Sequence, residues 1–483
     1  MSAGRVLVAS NRGPVTFIPE GDDLVPRRGA GGLVSALSSA LQTTGGLWIS
    51  SAMSPGDRER ASRSTDGRIE VITDDAKFHI RLLTFEDDTY DLAYNQVSNR
   101  MLWFLHHHLW DLPRAPSFDS ETRRAWEAYR RYNRAFAETL AEEAGGERAT
   151  VLVQDYHLCL VPGALRELAP GTRIAHFHHS PFAGPDELRL LPEPMWRELL
   201  EGLLGADLLG FHTERWARNF LACCRLLEGA SCRRRSVRWQ GRTVRLGVFP
   251  ISIDADVLRE RARSPAVEAK REELLRLAGD RALVLRVDRT DLSKNIVRGF
   301  LAYGDFLRRH PEWRRRVVFL ALLNPSRQRV PEYRTYTEEL VETARAVNRE
   351  FGDSDWQPLD LRIGDDWDEV VAAYDIYDVL MVNPVFDGMN LVAKEGPLLN
   401  RRGGVLLLST NAGAFAELGE HALRVDPLDV AGTADALDAA LRMTPAERKM
   451  RAAALKRAAE ARTPARWAIS QLRELDRIAP PGS

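Results

Sequence analysis

Five segments of this chain carry residue types that could do chemistry, and most of them follow an apolar, β-rich run. SNRGPV, with Arg12, ends the run VLVAS (6–10) and leads to Gly29, Gly31 and Gly32 ahead of an apolar-periodic helix. Glycines at a helix N-terminus let backbone N–H groups approach a phosphate, and the helix dipole favours the anion. Arg12 adds a bidentate fork; a plain turn is the alternative. In VLVQDYH (151–157), Asp155 and His157 lie two apart and so face one side of a strand; a capped turn is the alternative. In RVDRTDLSKN, Arg289 and Lys294 flank a polar turn before a helix start, which suits a diphosphate. Surface ion pairs with Asp288 and Asp291 are the alternative there. In NPVFDGMNLVAKEG, Asp387-Gly388 turns the chain and Met389-Asn390-Leu391 opens a helix carrying Lys394 and Glu395. A carboxylate at a strand end suits a sugar hydroxyl, and the helix N-terminus suits a phosphate. The fifth segment, HFHHSPFAGP, holds His176, His178 and His179. Adjacent residues on a strand face opposite sides, so the three do not converge on a metal. The run His106–His108 has the same difficulty on a helix. No metal and no cofactor are expected.

Composition narrows the class. The chain has 483 residues, 67 Lys plus Arg against 68 Asp plus Glu, and a formal net charge of -1. At about 150 residues per domain this is two or three domains. A near-neutral chain has no global field for nucleic acid or an anionic membrane. Four cysteines without CxxC spacing argue against a disulfide framework and a zinc ribbon. No apolar run is long enough to span a bilayer and the start lacks a leader pattern, so a cytoplasmic protein is expected. Only six of the basic residues are Lys, which draws attention to Lys294 and Lys394 inside motifs. No P-loop, HExxH, GxSxG or EF-hand string occurs.

The elements that must position these loops are thirteen short apolar runs, from VLVAS (6–10) to LRVDP (423–427), separated by helical segments. Runs buried on both faces and joined by helices imply parallel sheets. Thirteen strands exceed one ordinary open sheet, so an α/β fold of two doubly wound domains is expected, with a break near residue 250. Ligands then bind beyond the carboxyl ends of the strands, where the five segments lie. The Arg-rich stretch 232–245 reads as a solvated hairpin around a Gln-Gly turn.

Taken together, SNRGPV, GAGGL, YNQVSNRMLW, VQDYHL, HHSPF, LLGFHT, DRTDLSK and DGMNLVAKE resemble, in order, the trehalose-6-phosphate synthase family of retaining glycosyltransferases. The resemblance spans Ser10 to Glu395. It implies the GT-B fold, two Rossmann-like domains facing a central cleft. We expect an acceptor-binding domain over 1–250, a nucleotide-sugar-binding domain over 251–462, and a helix over 463–483 that crosses back to the first. It implies transfer of glucose from a nucleotide-glucose to glucose 6-phosphate, giving trehalose 6-phosphate. Arg12, Tyr94 and Arg327 would hold the acceptor phosphate, and Trp103 and Asp155 its sugar ring. Gly31 and Gly32 would lie by the donor diphosphate, with Arg289 and Lys294 neutralising it. His179 and Asp387 would position the donor glucose. After Gly388, Met389, Asn390, Leu391 and Val392 would present backbone N–H groups, and Glu395 would hold the ribose. The implied mechanism uses no protein nucleophile: the leaving diphosphate takes the acceptor's proton and configuration is retained.

Some strings depart from the family pattern. DRTDLSKN and NPSRQRVPEY are similar to the pseudoglycosyltransferase branch that makes validoxylamine 7′-phosphate, joining a nucleotide-cyclitol to an amino-cyclitol phosphate. The intact DGMNLVAKE favours the sugar transferase. A non-catalytic sugar-phosphate sensor is a further alternative, opposed by the intact site residues. For the donor base, Asp365, Asp366 and Asp368 precede the strand that leads to DGMN. A carboxylate accepts from guanine N1–H and N2 together, but meets carbonyls on uracil, which prefers GDP-glucose to UDP-glucose. Capping of the helix near Trp367 is the competing use of these aspartates. Whether the chain forms a homo-oligomer is left open.

Overall fold

Runs such as VLVAS and LWISS are buried at every position, which fixes them as central strands covered on both faces. The computed structural model describes residues 5–21, 23–29, 34, 37, 46–73, 76–146 and 149–478. It divides into two units, Met1–Ile251 with Pro464–Ser483, and Ser252–Thr463.

The sheet of the first unit runs in the order Ser231–Arg233, Ser236–Trp239, Arg242–Val248, Leu208–Phe211, Arg173–His178, Thr150–Gln154, Val6–Ser10, Leu47–Ser51, Ala76–Leu83, Arg68–Thr73. From Arg242–Val248 to Ala76–Leu83 all neighbours are parallel. Chain order reverses direction between Val6–Ser10 and Thr150–Gln154. That makes their C-terminal loops, which hold Arg12 and Asp155, the topological switch point. The 232–245 stretch is the expected antiparallel hairpin, turning at Gln240-Gly241. Three described strands lie outside the thirteen apolar runs and this hairpin: Val15–Glu20 and Asp23–Arg28, which pair as a ribbon, and the edge strand Arg68–Thr73.

The second unit is a six-stranded parallel sheet ordered Leu359–Ile363, Val317–Asn324, Ala282–Arg289, Val379–Val382, Val405–Ser409, Leu423–Val425. In chain order this is 3-2-1-4-5-6, the doubly wound dinucleotide-fold sequence. Its switch point lies between Ala282–Arg289 and Val379–Val382, so the loops carrying Lys294 and Asp387 leave from the two strands that flank it. The long helical run after Asp429 is two helices, Val430–Arg442 and Pro445–Glu460, because Thr444-Pro445 caps and restarts the chain. Helix Pro464–Asp476 belongs to the first unit, where Trp467 meets Phe177 edge-on at 4.8 Å and Arg173 reaches Asp476 at 2.9 Å. No described helix is long and apolar enough to cross a membrane.

Candidate functional site

In the first unit, the loop after Val6–Ser10 buries Asn11 and exposes Arg12. Asn11 Oδ1 accepts hydrogen bonds from the Tyr132 hydroxyl at 2.7 Å and the Tyr90 hydroxyl at 3.3 Å. Tyr132 comes from helix Ser120–Ala144, capped by Asp119 and by Gly145 in the left-handed region. The Arg12 guanidinium has no partner among the described residues, so it presents a bare planar cation at the switch point.

The YNQVSNRMLW motif forms a π-helix over Leu92–Leu102, followed by a helical turn over Trp103–His107. A π-helix of eleven residues is uncommon, and such wide turns cluster at functional sites. It sets Tyr94 between Tyr90 (5.3 Å, 16°) and His157 (5.7 Å, 17°) in one stack. Trp103 lies nearby in the sequence, stacked on His107 at 3.7 Å and tilted against Tyr156 at 5.6 Å.

Asp155 has φ 71° and ψ 172°, a conformation that L side chains avoid. The cost is offset by fixed contacts: its N–H donates to the Phe177 carbonyl at 2.7 Å, and its Oδ1 accepts from His179 N–H at 3.1 Å. His179 Nε2 lies 3.0 Å from Gln154 Oε1. A carbonyl oxygen can only accept, so this network assigns the proton to Nε2 and leaves Nδ1 as the acceptor. Burial, with His212 and His178 as lesser causes, holds His179 well below the ordinary histidine range, so the ring is neutral. Phe177 and His179 face Trp467 and His212, while His178 faces His106 and Phe182. The strand alternation expected from the sequence is observed.

In the second unit, Lys294 Nζ is paired with Asp387 Oδ2, both largely buried. Asn390, at φ 73°, donates to the same carboxylate oxygen at 3.1 Å and accepts from Ala393 N–H at the start of the helix Val392–Leu399. Gly413 backs this loop so closely that a Cβ there would overlap the Gly388 carbonyl oxygen. Beneath Lys294, the fully buried Arg286 donates to Asn383 Oδ1 at 2.7 Å and to the Lys294 carbonyl, and meets Asp288 at 3.1 Å. Burial pushes Asp288 up to about 6. Neither Arg286 nor Asp288 was singled out in the sequence as a site residue.

Arg289 is half-exposed and 3.7 Å from Asp291. Arg327, at φ 46°, donates to Asp291 Oδ2 at 2.7 Å and lies over the Tyr333 ring at 5.4 Å. It therefore sits in the second unit, whereas Arg12, Tyr94, Trp103 and Asp155 sit in the first. Glu395 accepts from the Tyr374 hydroxyl at 3.1 Å, and burial pushes its carboxyl up to about 7. Lys394 is turned away from the loop and buried against Glu417 at 2.6 Å. Gly31 and Gly32 lie outside the described residues.

The acidic cluster is mostly engaged. Asp366 accepts from Glu369 N–H as the cap of helix Trp367–Ile376 and pairs with Lys270 at 2.8 Å. Asp368 pairs with Arg261 at 2.6 Å, and Asp365 accepts from Asn324 at 2.7 Å. Asp366 makes the capping contact that was the competing use for it: one oxygen accepts from Glu369 N–H and the other pairs with Lys270.

The sequence profile of glycosyltransferase family 20 matches residues 4–477. A "Trehalose-6-phosphate synthase" of Mycobacterium sp. (strain KMS) is 38% identical over 477 residues, covering 96% of this chain and 93% of that protein. A "Bifunctional trehalose-6-phosphate synthase/phosphatase" of Thermoproteus tenax is 35% identical over 475 residues; the match covers 96% of this chain but only 62% of that protein. Among solved structures, "Trehalose-6-phosphate from E. coli bound with UDP-2-fluoro glucose" is similar with a TM-score of 0.86 and 30% identity, covering 99% of this chain and 100% of that one.

Proposed function

The chain belongs to glycosyltransferase family 20, the family of the trehalose-6-phosphate synthases, and we propose that it moves glucose from a nucleotide-glucose to glucose 6-phosphate with retention of configuration, giving trehalose 6-phosphate. It is an α/β glycosyltransferase of the GT-B fold. The observation that carries the proposal is where the cations stand. In each unit they lie on loops at the switch point: the unpartnered Arg12 in the first, and Lys294 with Arg289 in the second. These are the places where a doubly wound sheet presents ligands.

In this reading the first unit takes the acceptor. Arg12 and Tyr94 hold its 6-phosphate, with Arg327 as a further cation, and Trp103 and Asp155 hold its ring. The second unit takes the donor. Lys294 and Arg289 stabilise charge on the departing diphosphate, which is the term most able to lower the barrier when the ions are already positioned. Asp387, fixed by Lys294 and Asn390, accepts from donor glucose hydroxyls, and Glu395 accepts from the ribose. The neutral His179 orients rather than titrates. The proton of the acceptor hydroxyl passes to a diphosphate oxygen, so no protein base is required; the residues supply orientation and charge.

For the donor base, the carboxylates that favoured guanine are engaged elsewhere, and the similar E. coli structure is described with UDP-2-fluoro glucose. We therefore take UDP-glucose as the donor. The test is to measure initial rates with UDP-glucose and GDP-glucose at equal subsaturating concentration against glucose 6-phosphate, identifying the product by mass and NMR. A clear preference for GDP-glucose would return the base reading to Asp365. Absence of trehalose 6-phosphate with either donor, or faster turnover of amino-cyclitol phosphates, would overturn the transferase reading.

A further inference from the structure

We propose that Cys159, His176 and His178 bind one soft or borderline transition-metal ion, Zn²⁺ or Cu⁺, directly behind the loops that carry Asp155 and His179. One ligand atom from each of the three residues lies within 4.8 Å of the others, and all three are 1% exposed. Residues 176 and 178 project from the same face of strand Arg173–His178, and Cys159 follows the turn Tyr156–Leu158 on the neighbouring loop. The sequence argument against a metal holds for His178 with His179, which face opposite ways. It does not cover a same-face pair joined by a cysteine from another segment.

The second observation is the state of the rings. Neither His176 nitrogen has a hydrogen-bond partner, and neither does His178 Nδ1. A histidine buried only for packing ordinarily satisfies at least one ring nitrogen. The one nitrogen of the pair that is engaged, His178 Nε2, lies 2.8 Å from Ser180 Oγ. This is the outer hydrogen bond that orients a metal-bound imidazole and leaves Nδ1 as the donor atom.

One sulfur and two imidazoles form a set for soft or borderline ions, and hard cations would find no carboxylate in it. Bonds of about 2.0–2.3 Å would need ligand atoms roughly 3.5–4 Å apart, so from separations within 4.8 Å the cluster closes by at most about an ångström. Binding replaces the Cys159 S–H proton with the ion and releases that proton to solvent. Cu⁺ with one thiolate is neutral and accepts three ligands; Zn²⁺ would need a fourth. The bound ion would tie the Asp155–His157 loop to the end of the strand that leads into His179.

The test strips the full-length protein with a chelator and loads it with Zn²⁺ alone, or with Cu⁺ alone under reducing, anaerobic conditions. After desalting, metal and protein are quantified, and thermal unfolding is recorded. About one ion per chain from either arm, with a raised unfolding midpoint, is the expected result. The two arms separate zinc from copper. Co²⁺ should give a sulfur-to-cobalt charge-transfer band in the near ultraviolet that Cys159→Ala abolishes. His176→Phe, with its fold checked by circular dichroism, should lose the ion as well; because Co²⁺ reads the wild-type protein directly, a misfolded variant does not rescue the idea. Substoichiometric binding of all three ions, or an ion retained by Cys159→Ala on Cys223, Cys224 or Cys232, would overturn the site.

Discussion

Replacing Lys294 by Met separates its two roles, as a partner of Asp387 and as a cation for the leaving diphosphate. The two side chains are 12% and 13% exposed. Deleting one partner of a fully buried pair costs about 3–5 kcal/mol, because the other charge is left uncompensated. Here Asp387 keeps the Asn390 amide at 3.1 Å and some contact with water, so the expected cost is about 2–3 kcal/mol. For a unit of this size that is a drop in unfolding midpoint of about 4–12 °C. Losing the diphosphate cation should also lower kcat/KM by about 10²–10³-fold. Adding Asp387→Asn removes the stranded charge, so the double variant should regain most of the stability, since a neutral pair often matches a buried ion pair. It should not regain activity. Thermal unfolding and steady-state kinetics on the wild type, both single variants and the double variant complete the cycle. If the double variant recovered kcat/KM to within about tenfold of wild type, Lys294 would be a structural residue and the diphosphate assignment would be wrong.

Three further outcomes are expected. Arg327→Ala should raise KM for glucose 6-phosphate with little change in KM for the donor; a change confined to the donor would move Arg327 to the other subsite. For Glu395, burial lifts the carboxyl from 4.5 to about 7, so between those values the folded chain holds a proton that the unfolded chain has lost. Stability from this group therefore falls as pH rises from 4.5 to about 7, while KM for the donor should fall over the upper part of that range as the ribose-accepting carboxylate forms; Glu395→Gln should flatten both, and unchanged profiles would remove Glu395 from the ribose. Gly413→Ala should disrupt the Asp387–Asn390 loop, since its Cβ has no space beside Gly388, lowering turnover more than Gly432→Ala, whose Cβ meets only the Asp429 side chain at the start of a helix; equal effects would show that the loop's backing is dispensable.

The strands of both switch points could be read from the sequence because each holds a short apolar stretch, VLVA, VLV, LVL or VLMV, that is buried at every position. The ribbon Val15–Arg28 and the edge strand Arg68–Thr73 could not, because their partly exposed residues interrupt the run. Site residues followed the same division. Arg12, Asp155, Lys294 and Asp387 stand at strand ends, where type and position together carry the signal. The π-helix is different: nothing in LAYNQVSNRML distinguishes an i→i+5 pattern from an α-helix, and only packing selects it. Lys394 shows the other limit. Its partner Glu417 is distant in sequence, and no local pattern announces the pair. Asp366 was ambiguous for a related reason. A carboxylate before a helix can cap it or wait for a ligand, and the decision rests on Lys270, nearly a hundred residues earlier. Cys159, His176 and His178 combine these cases. The alternation that kept His178 and His179 apart is local and readable, whereas the convergence of Cys159 on the other face depends on the pairing of two strands. Local periodicity can therefore deny a shared face to neighbours in sequence, but it cannot deny convergence to residues that only the sheet brings together.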